Sequence, residues 1–118
     1  MRNATYAFGV SRALRWLGGT EVKSPPVGER GRRDLGVALC VLQLGGRLEM
    51  PLSRPMPSIG PRVHELRVRD EGKQWRLIYR TGADAILVVD LFRKSTQKTS
   101  KLALDRARRR LRAYDEHQ

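Results

Sequence analysis

Cysteine is almost missing from this chain: Cys40 is the only one in 118 residues. An internal disulfide is therefore excluded. With only two histidines, no Cys/His cluster has the spacing of a zinc site. Cys40 lies among Ala38, Leu39, Val41 and Leu42, so the simplest expectation is a small core residue. Aromatic residues are scarce too, at 6%, which argues against sequence-specific reading of single strands by base stacking. No apolar run approaches the ~18–20 residues of a membrane span. The first eight residues, Met1-Arg2-Asn3-Ala4-Thr5-Tyr6-Ala7-Phe8, lack the unbroken apolar segment of a signal peptide. The expectation is a cytoplasmic domain without metal, cofactor or membrane segment.

Acids are also in deficit, and here the sequence turns informative. Lys and Arg total 24 against 12 acids, a net charge of +12. Such an imbalance predicts attraction to polyanions, and self-repulsion when the chain is alone. A dense basic run is Phe92-Arg93-Lys94-Ser95-Thr96-Gln97-Lys98-Thr99-Ser100-Lys101, with four cations in ten residues. There an apolar run ends and a basic, hydroxyl-rich segment leads straight into a helical pattern. Cations on a loop held between a buried strand and a helix make a rigid anion site, for which phosphate is the natural ligand.

One domain accounts for the length. Residues 1–12 show no clear period and are read as a disordered extension, with a single domain over residues 13–116. Residues 13–17 are short and apolar and suggest a first strand, closed by Gly18-Gly19. Pro25-Pro26 introduces a helix with Glu29 in its first turn. Leu35, Ala38, Leu39 and Leu42 form its i, i+3, i+4, i+7 stripe, which Val37, Val41 and Leu44 widen, and Gly45-Gly46 ends it. Arg30, Arg32 and Arg33 lie opposite. Four prolines in residues 47–61 point to a loop without regular structure.

Residues 63–69 and 74–80 flank Asp70-Glu71-Gly72-Lys73, a hairpin signal. Closing it pairs Val68 with Trp75 and Leu66 with Leu77 on the core side. The same register sets Arg67 opposite Arg76, with Arg69 and Arg80 on that face. Like charges directly opposed across strands destabilise, so a protein that keeps them is expected to supply an anion. On this reading, replacing Arg76 by alanine leaves the fold intact or slightly more stable. Residues 85–92 read as a central strand, apolar on both faces except at Asp90. A three-residue turn at 82–84 brings Asp90 opposite Arg76, whereas a two-residue turn exchanges its face. A last helix from Lys101 to Tyr114 has Leu104, Ala107, Leu111 and Tyr114 on one side. Arginines at 106, 108, 109, 110 and 112 occupy the rest, and Thr99 or Ser100 serves as N-cap.

Five phrases in this order carry a resemblance: Trp16-Leu17-Gly18, Gln43-Leu44-Gly45-Gly46, His64-Glu65-Leu66-Arg67, Trp75-Arg76-Leu77-Ile78-Tyr79 and Phe92-Arg93-Lys94-Ser95-Thr96-Gln97-Lys98-Thr99. Together, over roughly residues 13–114, the chain resembles the HigB-like, phage-related branch of the RelE/ParE toxin superfamily. Arg93-Lys94 stands where two lysines are usual, and Trp75 where Tyr is commoner. The resemblance implies a small α+β fold of the RelE-like kind, an antiparallel sheet packed on helices with a C-terminal helix. It implies the toxin of a type II toxin–antitoxin pair, an endoribonuclease that cleaves messenger RNA on the ribosome and halts translation. Its implied partners are a helix-turn-helix antitoxin, the ribosome and mRNA. A ParE-like inhibitor of DNA gyrase and a non-catalytic basic RNA- or ribosome-binding module stand as alternatives.

RNA cleavage by a 2′-OH builds charge at phosphorus, and a well-placed arginine donor there is worth ~3 kcal/mol. The candidate catalytic residues are Arg67, Arg76, Lys94, Lys98 and Glu65. Arg69, Arg80, Arg93, Gln97 and Lys101 are candidates for RNA binding. No metal is called for. Glu65 shares the face of Arg67 and serves either as base or as a neutralising partner. Histidine is the usual acid–base residue of neutral solution, which makes His64 the natural candidate, but the register turns it and Tyr79 toward the core.

Overall fold

A computed structural model describes residues 11–18, 26–95 and 98–118. The expected extension at residues 1–12 lies outside the described residues as far as residue 10. The chain runs β1 (Ala13–Trp16), α1 (Glu29–Gln43), β2 (Ser53–Pro55), β3 (Val63–Asp70), β4 (Lys73–Thr81), β5 (Ala85–Lys94) and α2 (Lys101–Glu116). The strands form one sheet in the order β1-β5-β4-β3-β2. This is the small α+β architecture that the resemblance implies, with one correction. β1 runs parallel to β5, so the sheet is mixed, while the remaining pairs are antiparallel.

Each face of the sheet carries its own core. On one face, Leu35, Ala38, Leu39 and Leu42 of α1 pack on Leu66, Val68, Trp75, Leu77, Tyr79, Ile86 and Val88. On the other, Ala107 and Leu111 of α2 pack on Val63, Ile78, Ala85, Leu87 and Val89. Leu66, Leu77, Ile86 and Val88 are wholly buried, and each such side chain contributes ~1.5–3 kcal/mol. α2 reaches that face through Ala107 and Leu111, and the strip at the β3–β4 hairpin end carries an open cleft. That strip holds the site.

The β3–β4 register is the expected one, with Val68 opposite Trp75 and Arg67 opposite Arg76. Elsewhere the structure corrects the pattern. Within the loop expected at 47–61, Ser53–Pro55 forms an edge strand on His64–Leu66, since the prolines sit at its ends and outside it. Val37 and Leu44 are 60% and 69% exposed, and Val41 and Cys40 are exposed as well. They widen no core face. The inner arc of α1 is filled by the Leu35–Leu42 stripe, and residues 37, 40, 41 and 44 turn outward. Asp90 lies opposite Ile78, not Arg76. The β4–β5 turn pairs Thr81 with Ile86, and a bulge at Val89 moves the register by one more residue.

The first turn of α1 rests on the hairpin. Gly28 is its N-cap, with no side-chain cap, and the buried carboxylate of Asp70 lies against it. An acid is well placed there by the helix dipole. A methyl group at Gly31 would sit 2.6 Å from Val27 Cγ1 and 3.0 Å from Asp70 Cβ. Gly31→Ala gains ~1 kcal/mol of helix propensity but incurs ~1–3 kcal/mol of overpacking. A net loss in urea unfolding is expected, and a variant more stable than the parent would refute this packing.

Candidate phosphate-binding cleft

β3, β4 and the end of β5 bring cations together on the open strip. Arg67 and Arg76 face each other across β3 and β4, and Lys94 lies opposite Gln74 at the end of β5. They line an open cleft of about 590 Å³ with Gly72, Lys73, Gln74, Arg93 and Ser95. Arg54 of β2, opposite Glu65, adds a further charge that acts on both Arg76 and Lys94. Of the site residues expected from sequence, the cleft thus gathers Arg67, Arg76, Lys94 and Arg93. Arg69 lines an adjoining hollow.

Arg76 is held from below. It is 3% exposed, and Nη1 and Nη2 donate to Trp75 O at 3.1 Å and Gln74 Oε1 at 2.8 Å. Its Nε lies 3.5 Å from Glu65 Oε1. Both atoms are buried, and neither has a hydrogen-bond partner among the described residues. Glu65 is wholly buried, and its Oε2 accepts from Thr99 Oγ1 at 2.6 Å. A carboxylate enclosed in this way neutralises and positions Arg76. It has no open path to a substrate hydroxyl. The sequence offers Thr99 only as an N-cap, but Ser100 caps α2 and Thr99 instead reaches Glu65, which only folding shows.

Burial is the main cause that lowers the Arg76 pKa, opposed by Glu65 and reinforced by Arg67 and Arg54. Lys94 is lowered as well, mainly by burial, with Arg76, Arg54 and Arg67 adding and Glu65 opposing. Between its depressed folded value and the ordinary lysine value, folded Lys94 binds fewer protons than unfolded Lys94. Its contribution to stability therefore rises with pH across that window. Lys94→Gln is expected to flatten the rise and to stabilise the free protein near neutrality, while weakening phosphate binding. Unfolding by urea over a pH series checks the first effect. An unchanged pH slope would contradict it.

Other expected residues lie elsewhere. Arg80 is on the α2 face, but both its Nη atoms bind Asp115 at 3.0 and 2.6 Å. Lys101 pairs with Asp105 at 3.0 Å. Lys98 is exposed at the start of the segment that leads into α2, and Gln97 falls outside the described residues. His64 turns away from the cleft and stacks on Tyr79 with ring centroids 5.3 Å apart, and Tyr79 is buried with its hydroxyl 2.6 Å from Ser53 Oγ. Neither side chain lines the cleft. Asp90 binds Arg106 and Arg110 of α2.

Among the described residues, no group of three or more His, Cys, Asp or Glu is placed to hold a metal. No helix there is long and apolar enough to cross a membrane. The cleft offers an anion three arginines, two lysines and polar neighbours. Residues 23–112 match the model of the family described as phage derived protein Gp49-like (DUF891). No curated protein matches the chain.

Proposed function

The chain belongs to the phage-derived Gp49-like family, a family related to RelE-type toxins, and from that premise we propose that it is a toxin of a type II toxin–antitoxin pair. On this reading it is a ribosome-dependent endoribonuclease that cleaves messenger RNA and halts translation. The observation that carries it is the clamp at Arg76: a buried guanidinium, backed by Glu65 and faced by Arg67 and Lys94, at the floor of an open cleft. Arg67 forms no ion pair among the described residues, so its charge is at hand for a ligand.

The 2′-OH of one nucleotide attacks the neighbouring phosphorus, the P–O5′ bond breaks, and a cyclic phosphate and a 5′-hydroxyl remain. Arg67 and Arg76 hold the non-bridging oxygens as their charge grows, and Lys94 shares the load from the β5 side. No cleft residue among those described is an exposed carboxylate or imidazole. The acceleration then comes from electrostatics and from alignment of the strand on the ribosome. A cognate antitoxin of acidic character neutralises the cleft by charge complementarity.

Expression without a partner should arrest growth with protein synthesis failing first. Pulse labelling of protein and DNA synthesis checks this. Loss of DNA synthesis before translation would instead favour the gyrase reading.

A further inference from the structure

We propose that the cleft seats a nucleobase beside its phosphate clamp, in the hollow walled by Pro51, Val68 and Arg69, so that its ligand is a single strand with unstacked bases. This inference rests on the reading of the clamp as a nucleic-acid phosphate site. The hollow arises where β2 gives out. β2 covers β3 only at His64, Glu65 and Leu66. Arg67 N still donates to Leu52 O at 2.8 Å, and Ser53 N to Glu49 O at 3.0 Å. The chain then turns away through Pro51 and leaves the edge of β3 uncovered.

The space left is about 310 Å³, lined by Pro51, Arg67, Val68, Arg69, Gln74 and Arg76. Arg67, Gln74 and Arg76 line the larger cleft as well, so the two hollows share the clamp as a wall. Their chemistry differs. Lys73, Arg93, Lys94 and Ser95 fill out the larger one, which suits phosphate. The smaller one adds the apolar Pro51 and the margin of Val68, which is otherwise packed in the α1-side core, with Arg69 as its sole further cation.

A flat, partly apolar group attached to a phosphate fits that pair of hollows. Arg69 is exposed, and its guanidinium plane can stack on a base, as can the Pro51 ring. The strand edge supplies polar contacts too. In an antiparallel strand the N–H and C=O of one residue point the same way, and direction alternates along the chain. Since Arg67 N–H points to Leu52, the N–H and C=O of Arg69 point to the same edge, beyond the last residue of β2. One donor and one acceptor thus face the hollow. A base paired in a duplex cannot enter it, whereas an unstacked one can.

The test uses two 2′-O-methyl hexanucleotides, one with bases and one abasic, which carry equal phosphate and cannot be cleaved. Their dissociation constants are measured by fluorescence anisotropy at one salt concentration. The phosphate contribution cancels in their ratio. The parent protein should prefer the strand with bases about tenfold, within the range expected for a stacked base. Arg69→Lys keeps the charge and loses the plane, and Pro51→Ser removes the ring. Both should bring the ratio toward one. A parent ratio near one, with both strands weakened by Arg67→Ala, would overturn the base seat and leave the phosphate clamp standing. If Arg67→Ala weakens neither strand, the phosphate reading fails with it.

Discussion

Arg76→Ala is expected to abolish growth arrest and to lower folding stability by about 3 kcal/mol. The two losses have different causes. On the proposed reading, activity fails because the guanidinium at the floor of the cleft is gone. Stability falls because Glu65, wholly buried, loses its counter-charge and keeps only the Thr99 hydroxyl. A buried charge without its partner is costly, whereas replacing both partners by apolar groups is often neutral. Glu65→Leu with Arg76→Leu should therefore regain most of the stability and none of the activity. Arg76→Lys, which keeps charge but not the planar fork, should fold well and lose at least about tenfold in activity. Urea unfolding and growth assays decide the matter. If Arg76→Ala proves as stable as the parent, the Glu65–Arg76 pair does not hold the site together.

That prediction reverses the sign that the strands alone suggest, and the reversal shows what a sequence can carry. Arg67 opposite Arg76 was legible, because a hairpin register follows from one turn and from two apolar pairs. The relief expected on removing Arg76 leaves out Glu65, which also faces Arg76, diagonally and at 3.5 Å. Diagonal distances depend on strand twist, which no residue pattern states. Thr99 is harder still: its 34-residue separation from Glu65 is closed only when α2 docks. β2 escaped notice because an edge strand three residues long carries no periodicity, and its prolines read as breakers. The outward turn of Val37, Cys40, Val41 and Leu44 was hidden for the opposite reason. α1 has apolar residues on two arcs, and periodicity alone does not say which arc meets the sheet.

The largest effect on stability outside the cleft is expected at Asp90. The β4–β5 turn and the bulge at Val89 together carry Asp90 past Arg76, and Asp90 pairs with α2. There its Oδ2 accepts from Arg106 Nε at 2.7 Å, and its Oδ1 from Arg110 Nη1 at 3.1 Å and Leu91 N at 2.9 Å. Asp90 is 5% exposed, while the arginine side chains retain 32% and 22% exposure. Once Asp90 is gone, those arginines can turn to water, so the loss should fall at the low end for a buried pair. Asp90→Ala is expected to cost about 3 kcal/mol. The other ion pair between α2 and the sheet, Arg80 with Asp115, is weaker. Asp115 is 53% exposed, and such pairs contribute roughly 0–1 kcal/mol. The Arg80 hydrogen bond depresses its pKa, so this small contribution is present at neutral pH and fades as pH falls through the depressed value. Hydrogen exchange separates the two anchors. Asp90→Ala should expose the amides of α2 well before those of β3 and β4. Since Thr99 and the N-cap Ser100 directly precede that helix, loosening it should release Glu65 and weaken anion binding in the cleft. If Asp90→Ala stays within about 0.5 kcal/mol of the parent, as a neutral surface change would, Asp90 does not anchor α2, and the cleft does not depend on that anchor.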